Sequence, residues 1–217
     1  MASAADPQYT LETLESPRQL KRFLKVPRHV YRDDPVWIAP LDIEQKQRFS
    51  PSNHFFQHAR WRGWVASRDG VPVGRITAQV DELQQAEGGQ RLGYFGMIEG
   101  IDDPELFAIL FAAAESWLRE EGMTRVRGPL NLHINEEVGL LVDGFDKAPF
   151  VLMGHARPHY DQRIRALGYE TARDLLAYKI RPDFDAPRVM ARLAERVSGR
   201  VSVRALNRQR LKEDAAV

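Results

Sequence analysis

The sequence contains no cysteine among its 217 residues. This absence excludes disulfide bonds, thiolate metal sites and a cysteine nucleophile, and it fits a reducing compartment. Lys and Arg number 31 against 30 for Asp and Glu, so no excess of one charge predicts a nucleic-acid or membrane partner. No apolar run approaches the roughly 18 residues of a membrane-spanning helix, and the first ten residues lack the regions of a secretory signal. We therefore expect a cytoplasmic protein.

Residues 92–122 carry the clearest pattern in the chain, an apolar strand followed by an acidic turn and one long helix. Asp103 is suited to cap this helix, Pro104 to begin it and Gly122 to end it. Apolar side chains recur at spacings of three and four, which predicts that one broad helix face packs on a sheet. The members of this face are Leu106, Phe107, Leu110, Phe111, Ala113, Trp117 and Leu118.

The remaining elements are predicted from spacing and turn residues. Pro27 is expected to kink or break the first helix, because proline removes a backbone donor and clashes with the preceding turn. The order predicts an α+β fold (α/β mixed sheet), with a central, mixed and mostly antiparallel sheet flanked by helices. The predicted strands are 9–14, 60–67, 71–80, 92–99, 124–130, 175–180 and 200–206, and the predicted helices are 18–31, 42–49, 104–121, 158–167 and 189–197.

Four stretches together resemble the GNAT N-acetyltransferase superfamily, and more closely a bacterial group of GNAT-like proteins. They read RDGVPVGRITAQVD, GYFGMIEGIDDPELF, VRGPLNLHINEEVGLLVDGFD and YDQRIRALGYETARDLLAYKI. The likeness covers most of residues 9–180, and it implies the GNAT-like acyl-CoA N-acyltransferase fold. The implied activity is transfer of an acyl group to a small-molecule amine or a peptide.

In the superfamily, acetyl-CoA lies where the fourth and fifth strands separate. Its pyrophosphate is held by backbone N–H groups at the N-terminus of the next helix, where the helix dipole favours an anion. The resemblance therefore implies acetyl-CoA or another acyl-CoA as co-substrate. The implied cofactor-binding residues are Met97, Ile98, Gly100, Ile101, Asp103 and Pro104.

The phosphate-binding loop departs from the superfamily pattern Q/R-x-x-G-x-G/A, because this chain has Glu99-Gly-Ile-Asp102-Asp103-Pro104. Asp102 and Asp103 place two carboxylates where the pyrophosphate would lie, and a capping Asp103 uses donors that the ligand needs. Two alternatives therefore stay open. One is a non-catalytic domain that binds a small molecule or a partner. The other is acyl transfer from an aminoacyl-tRNA or an acyl carrier protein.

Glu99 and Tyr160 are the candidate catalytic residues. Acyl transfer to an amine needs a base, and Glu99 lies at the end of the strand that meets the long helix. The resemblance matches Tyr160 by position to a tyrosine that protonates the leaving thiolate. Each has a structural alternative, since Glu99 could pair with Arg75 or Arg127 and Tyr160 could be a buried aromatic anchor.

Asn131, His133 and Asn135 are the candidate substrate-binding residues. If residues 130–134 continue the strand, alternation places all three on one face, where they could orient an acceptor. The alternative is a polar loop whose amides satisfy its own backbone. We expect no metal site, because the spaced histidines of the chain have no further ligand cluster beside them. The sequence is compatible with a homodimer, and we expect neither a membrane nor a nucleic-acid partner.

Residues 200–212 (RVSVRALNRQRLK) echo residues 9–24 (YTLETLESPRQLKRFL) as a strand, a polar turn and the start of a basic helix. Proteins of the resembling group often continue into a second GNAT-like half. We therefore predict one GNAT-like domain at 1–182. The remainder, 183–217, is predicted to be a linker helix and strand that begins a truncated second half. The alternative is that the last strand completes the first sheet.

Overall fold

The computed structural model describes residues 8–84, 90–181, 183, 185, 187–201, 204, 205 and 207–214. The chain divides into two compact units, Met1–Leu175 and Leu176–Val217. The first unit holds the sheet and the helices that pack on it. The predicted boundary at 182/183 and the truncated second half stay predictions.

The first unit contains a five-stranded sheet in the order β1-β2-β3-β4-β5. Neighbouring strands are antiparallel except β4 and β5, which are parallel. The mixed and mostly antiparallel sheet predicted from the sequence is therefore confirmed. The strands are β1 (Thr10–Thr13), β2 (Ala59–Arg68), β3 (Val71–Asp81), β4 (Leu92–Gly100) and β5 (Arg125–Arg127).

Helices flank this sheet, and the longest of them follows β4 directly. Asp103 caps it by accepting a hydrogen bond from the Glu105 N–H at 2.9 Å, and Gly122 ends it with a φ of 77°. Its predicted apolar face is buried, except that Ala114 replaces Ala113. The helices of this unit are α1 (Pro17–Val30), α2 (Asp42–Arg48), α3 (Pro104–Glu120) and α4 (His159–Ala166), with a 3-10 turn at His54–Gln57.

Strand β4 is irregular at its centre. Met97 has a φ of 48°, and the pairing with β3 shifts there, so that Arg75 faces Glu99 while Thr77 faces Gly96. A bulge of this kind re-aims the side chains that follow it. The carboxylate of Glu99 is thereby placed opposite the guanidinium of Arg75.

The chain that leaves β5 runs against β4 instead of continuing beside it as a strand. β4 and β5 pair only between Leu92–Tyr94 and Arg125–Arg127, so the strand predicted at 124–130 is shorter than expected. Beyond it the Leu130 N–H donates to the Phe95 carbonyl at 2.8 Å. A Cβ at Gly96 would lie 2.1 Å from the Leu130 oxygen, so this approach needs a glycine.

Three other sequence predictions are corrected. α1 continues through Pro27 to Val30 instead of breaking into two helices, since Pro27 lies in its last turn. Residues 175–180 are not a strand, because their backbone has no pairing strand in the described residues and their side chains are exposed. The strand predicted at 200–206 is also wrong for 200, 201, 204 and 205, while 202, 203 and 206 lie outside the described residues.

The second unit contains α5 (Arg188–Ser198), a 3-10 turn at Arg208–Arg210 and α6 (Leu211–Asp214). α5 confirms the helix predicted at 189–197, and none of its residues is buried. Within the described ranges of the chain, no helix is both long enough and apolar enough to cross a membrane.

Replacing Gly96 by alanine tests the close approach between β4 and the segment after β5. We expect Gly96→Ala to lower the free energy of unfolding by about 1–3 kcal/mol, because its Cβ meets backbone that cannot rotate away. Urea denaturation measures the change. Gly154→Ala is the control, since its Cβ would meet only the Gly139 oxygen at 3.4 Å. Equal stability of the two variants would contradict the close approach.

Candidate active site

One face of β3 carries polar side chains that are nevertheless buried. Arg75, Thr77, Gln79 and Asp81 alternate along the strand and therefore share this face, and all four are buried. Gln79 donates to the carbonyl oxygen of Leu130, in the segment that crosses β4. Buried polar groups need partners, so this face and the segment above it are tied together.

Arg75 and Glu99 form a buried pair in the middle of this face. The Nη2 of Arg75 lies 3.6 Å from Oε1 of Glu99, and Nη1 donates to the Phe23 carbonyl at 3.4 Å. The guanidinium carbon also lies 4.8 Å from the centre of the Phe23 ring. Its Nε has no hydrogen-bond partner among the described residues. The guanidinium is thus held by long contacts only.

Tyr160 of α4 holds the other side of Glu99. Its hydroxyl donates to Oε2 of Glu99 at 2.7 Å and accepts from the Gly100 N–H at 2.9 Å. The side chain is fully buried, with its ring against Phe107. Tyr160 is therefore buried, as the structural interpretation expected, and it contacts Glu99, while its role as the acid for the leaving thiolate stays a prediction.

Burial controls the ionisation of this cluster. It raises the pKa of Glu99, because the charge of Arg75 and the hydroxyls of Tyr31 and Tyr160 offset only part of the lost hydration. Burial also lowers the pKa of Arg75 and raises the pKa of Tyr160. Glu99 therefore binds a proton more tightly than an ordinary glutamate does.

Arg75 and Glu99 line a pocket of the first unit. Polar groups converge on it from the loop at 129–139, from α2 and from the loop that ends at His155. Apolar side chains complete the lining, so that polar and apolar groups both face the pocket. The apolar side chains of the lining are Pro27, Trp37, Ile38, Pro40, Met97, Ile98, Pro129, Leu140, Pro149 and Met153.

The loop at 129–139 brings Asn131 and Glu137 to this pocket. Asn131 accepts from the Met97 N–H at 2.7 Å and donates to Oε2 of Glu137 at 2.6 Å. Arg48 of α2 lies 3.5 Å from Glu137 and 2.7 Å from Glu136. The loop is therefore fixed both to β4 and to α2.

This loop is not the strand on which three candidate substrate residues were expected to share a face. Leu132 has a φ of 76°, and the only pairing here is a bridge between Leu130 and Val138. Asn131 lines the pocket, whereas His133 packs on the ring of Phe55 and Asn135 is exposed. The prediction that Asn131, His133 and Asn135 share one strand face is therefore wrong, because the chain reverses direction at Leu132.

The N-terminus of α3 is occupied by the protein's own carboxylates. Asp103 caps the helix and also accepts from the Tyr9 hydroxyl at 2.6 Å, while Asp102 pairs with Arg163 at 2.8 Å. Partial burial acts to raise the pKa of Asp103. The hydrogen bonds from Tyr9 and from backbone N–H groups outweigh it and hold the pKa below its usual range. Charged carboxylates thus lie at the position that the resemblance assigns to a pyrophosphate.

The predicted site residues fall into two sets. Glu99, Met97, Ile98 and Asn131 line the pocket together. The others do not line it, although Tyr160 contacts Glu99 and Gly100 bonds to Tyr160. This second set is Tyr160, Gly100, Ile101, Asp103, Pro104, His133 and Asn135. Their proposed roles stay predictions.

Several pocket residues were not predicted from the sequence as site residues. Arg75 was named only as a partner of Glu99, and its signal was the polar alternation along β3. Tyr31, Arg48 and His155 come from three distant segments, and no local pattern marks them as neighbours. Across the described part of the chain, no group of three or more His, Cys, Asp or Glu side chains could hold a metal ion.

Two curated bacterial proteins are similar to this chain. Protein YghO of Escherichia coli (strain K12) is 42% identical over 211 residues, which cover 97% of this chain and 54% of that protein. Bacterial ceramide synthase of Caulobacter vibrioides (strain NA1000 / CB15N) is 46% identical over 185 residues, which cover 84% and 48%. The chain thus spans about half the length of these relatives. No model of a known protein family matches it.

A solved structure from Clostridium acetobutylicum, described as a predicted acetyltransferase with acetyl-CoA, matches the fold. Its TM-score is 0.50, with 8% identity over 79% of this chain and 96% of that chain. The chain is a GNAT-fold protein. The GNAT resemblance inferred from its motifs is therefore confirmed at the level of the fold, and the two bacterial proteins above are similar to this chain in sequence.

The raised pKa of Glu99 predicts a pH-dependent effect of Glu99→Gln on stability. Protonation of Glu99 contributes stability that is fully present below its unfolded pKa of about 4.3 and is lost as pH rises through its folded pKa. We therefore expect the unfolding free energy of the wild type, relative to Glu99→Gln, to fall as pH rises above about 4.3. The slope reaches at most about 1.4 kcal/mol per pH unit for one proton.

Urea denaturation across this pH range measures the difference. Glu120→Gln, at the exposed end of α3, is the matched control and should leave the difference flat. A flat difference for Glu99→Gln as well would mean that Glu99 titrates like an ordinary glutamate.

Proposed function

We propose that this chain is an N-acyltransferase domain that transfers an acyl group from acyl-CoA to a long-chain amine of the sphingoid-base class. The observation that carries the proposal is the 46% identity with bacterial ceramide synthase. A ceramide is a long-chain base with an acylated amine, so its synthesis joins an acyl group to nitrogen. The chain spans about half of that enzyme, and therefore the activity is proposed for it and not assigned.

The lining of the pocket contains both kinds of group that substrates of this class would contact. Long-chain amines and acyl thioesters each have a long apolar body and one reactive polar end. The lining likewise combines apolar side chains such as Trp37 and Leu140 with Arg75, Glu99 and Asn131. A site of this composition binds the apolar body through burial and orients the polar end through hydrogen bonds.

The reaction needs two kinds of help that this pocket can supply. Negative charge develops on the carbonyl oxygen as nitrogen attacks, and a cation in a dry site stabilises it. Arg75 is the buried cation in the lining. A base must also take the proton of the amine, and Glu99 is the candidate named from the sequence. Tyr160 is proposed to hold Glu99 in place.

A second candidate function follows from the N-terminus of α3. Because Asp102 and Asp103 lie there, a donor with a pyrophosphate at this position would meet two negative charges. An acyl carrier protein presents its thioester without the nucleotide of CoA. Acyl transfer from a carrier protein is therefore the alternative that this helix end favours.

Product formation decides between these candidates. The full chain is incubated with sphinganine and either palmitoyl-CoA or palmitoyl-acyl carrier protein, and the N-acyl product is measured by mass spectrometry. We expect product with palmitoyl-CoA. Product with the carrier protein alone would favour the second candidate, and no product with either donor would contradict acyl transfer by this chain.

Asp102→Asn tests whether the pyrophosphate of CoA approaches the start of α3. Removing this charge should tighten CoA binding roughly two- to fivefold, since one exposed charge pair contributes up to about 1 kcal/mol. Isothermal titration with CoA at low salt measures the change. Glu120→Gln, at the opposite end of the same helix, should leave the affinity unaltered. Unaltered affinity in both variants would mean that the pyrophosphate binds elsewhere.

A further inference from the structure

Two side-chain nitrogens are buried without a hydrogen-bond partner in the described residues. They are Nε of Arg75 and Nδ1 of His155. Both residues line the pocket described above. Buried polar atoms are almost always paired in native proteins, and exceptions concentrate where a group has a chemical task. The coincidence of both exceptions in one pocket therefore points to its chemistry.

His155 is held through its other ring nitrogen. Its Nε2 lies 2.9 Å from Oδ2 of Asp34, and the two side chains are 5% and 11% exposed. Asp34 also receives the backbone N–H groups of Val36 and Trp37, at 3.1 and 3.2 Å on Oδ1. A carboxylate can only accept, so the proton between them belongs to Nε2. In the neutral ring, Nδ1 is then an unprotonated acceptor.

Two further side chains, Tyr31 and Arg157, contact this pair. The ring of Tyr31 lies 5.2 Å from that of His155, and its hydroxyl donates to the His155 carbonyl at 3.3 Å. Arg157 donates to Asp34 at 3.4 Å and to the Val30 carbonyl at 2.6 Å. The hydrogen bonds that Asp34 accepts from His155 and Val36, together with the charge of Arg157, hold its pKa below the usual range despite partial burial.

Glu99 is less free to act as the base. Its Oε2 already accepts from Tyr160 at 2.7 Å, and its Oε1 faces the buried guanidinium of Arg75. Both carboxylate oxygens of Glu99 are therefore already engaged by neighbouring side chains. A proton on His155, by contrast, forms a cation beside the carboxylate of Asp34.

We propose that His155, positioned by Asp34, is the base of the acyl transfer, an inference that rests on the proposed function. The amine nitrogen attacks the thioester carbon, the C–N bond forms, and Nδ1 takes one proton from nitrogen. The C–S bond then breaks, and the imidazolium returns that proton to the leaving thiolate. Amine and thioester become amide and thiol, and His155 is restored to its starting state.

Kinetics of His155→Gln and Asp34→Asn test this assignment with sphinganine and whichever donor the wild type uses. We expect His155→Gln to lower kcat roughly a hundredfold or more, and Asp34→Asn to lower it less. The ratio of the wild-type kcat/KM to the His155→Gln kcat/KM should rise with pH through one ionisation. The ionisation of the amine substrate affects both enzymes equally and therefore cancels in this ratio. If this kcat/KM ratio stayed below about three at every pH, the role of His155 would be overturned, and the proposed function would not be affected.

The control is His58→Gln, which removes a similar pair outside the pocket. Nδ1 of His58 lies 2.8 Å from Oδ1 of Asp81. This variant should keep the activity of the wild type, so a comparable loss there would mean that removing any His–Asp pair impairs the fold. Thermal unfolding of each variant accompanies the kinetics.

A second measurement needs neither a variant nor turnover. Nitrogen-15 NMR of the histidine rings in the wild-type chain at pH 7.5 reports which nitrogen of His155 carries the proton. We expect the proton on Nε2 and a bare Nδ1, and a proton found on Nδ1 in the neutral ring would overturn the proposal. A wild type inactive with both donors would instead overturn the proposed function, whichever nitrogen is protonated.

Discussion

The burial of Arg75 between Phe23 of α1 and Glu99 of β4 is the constraint on which the site depends. A guanidinium taken out of water loses several kcal/mol of hydration, and a carboxylate 3.6 Å away recovers only part of it. The shifts in pKa agree, since burial lowers the pKa of Arg75 and raises that of Glu99. The bulge at Met97 and the hydroxyl of Tyr160 hold the pair in place. Such a pair contributes little to stability, so its position in a pocket favours a role in chemistry.

The sequence predicts well those elements whose signals are local. α3 begins and ends where Asp103 and Gly122 require, and the hairpin of β2 and β3 turns at residues 69 and 70, as expected. The burial of the polar face of β3 has no signal in the sequence, because a polar face ordinarily faces water. Here Gln79 bonds to Leu130, about fifty positions further along the chain. No local pattern records a contact over that distance.

The residues of the candidate site likewise differ in whether the sequence could predict them. Glu99 and Asn131 could be named from the sequence because each lies next to a recognisable strand or loop. His155 and Asp34 could not, since 121 positions separate two residues whose atoms meet at 2.9 Å. The spacing of four between His155 and His159 drew attention to a possible metal site. Folding instead directs His155 to Asp34 and His159 to the Gly100 carbonyl.

The N-terminus of α3 differs from the phosphate-binding helix end of the superfamily. In the superfamily pattern, free backbone N–H groups at this helix end bind the phosphates of the donor. Here Asp103 satisfies the Glu105 N–H, so the same group stabilises the helix instead of a ligand. Binding energy for a donor must then come from other contacts, and the pocket offers apolar area together with Arg75 and Arg48. Under the proposed function, recognition of the substrates would therefore depend more on their apolar chains and reacting ends than on a nucleotide.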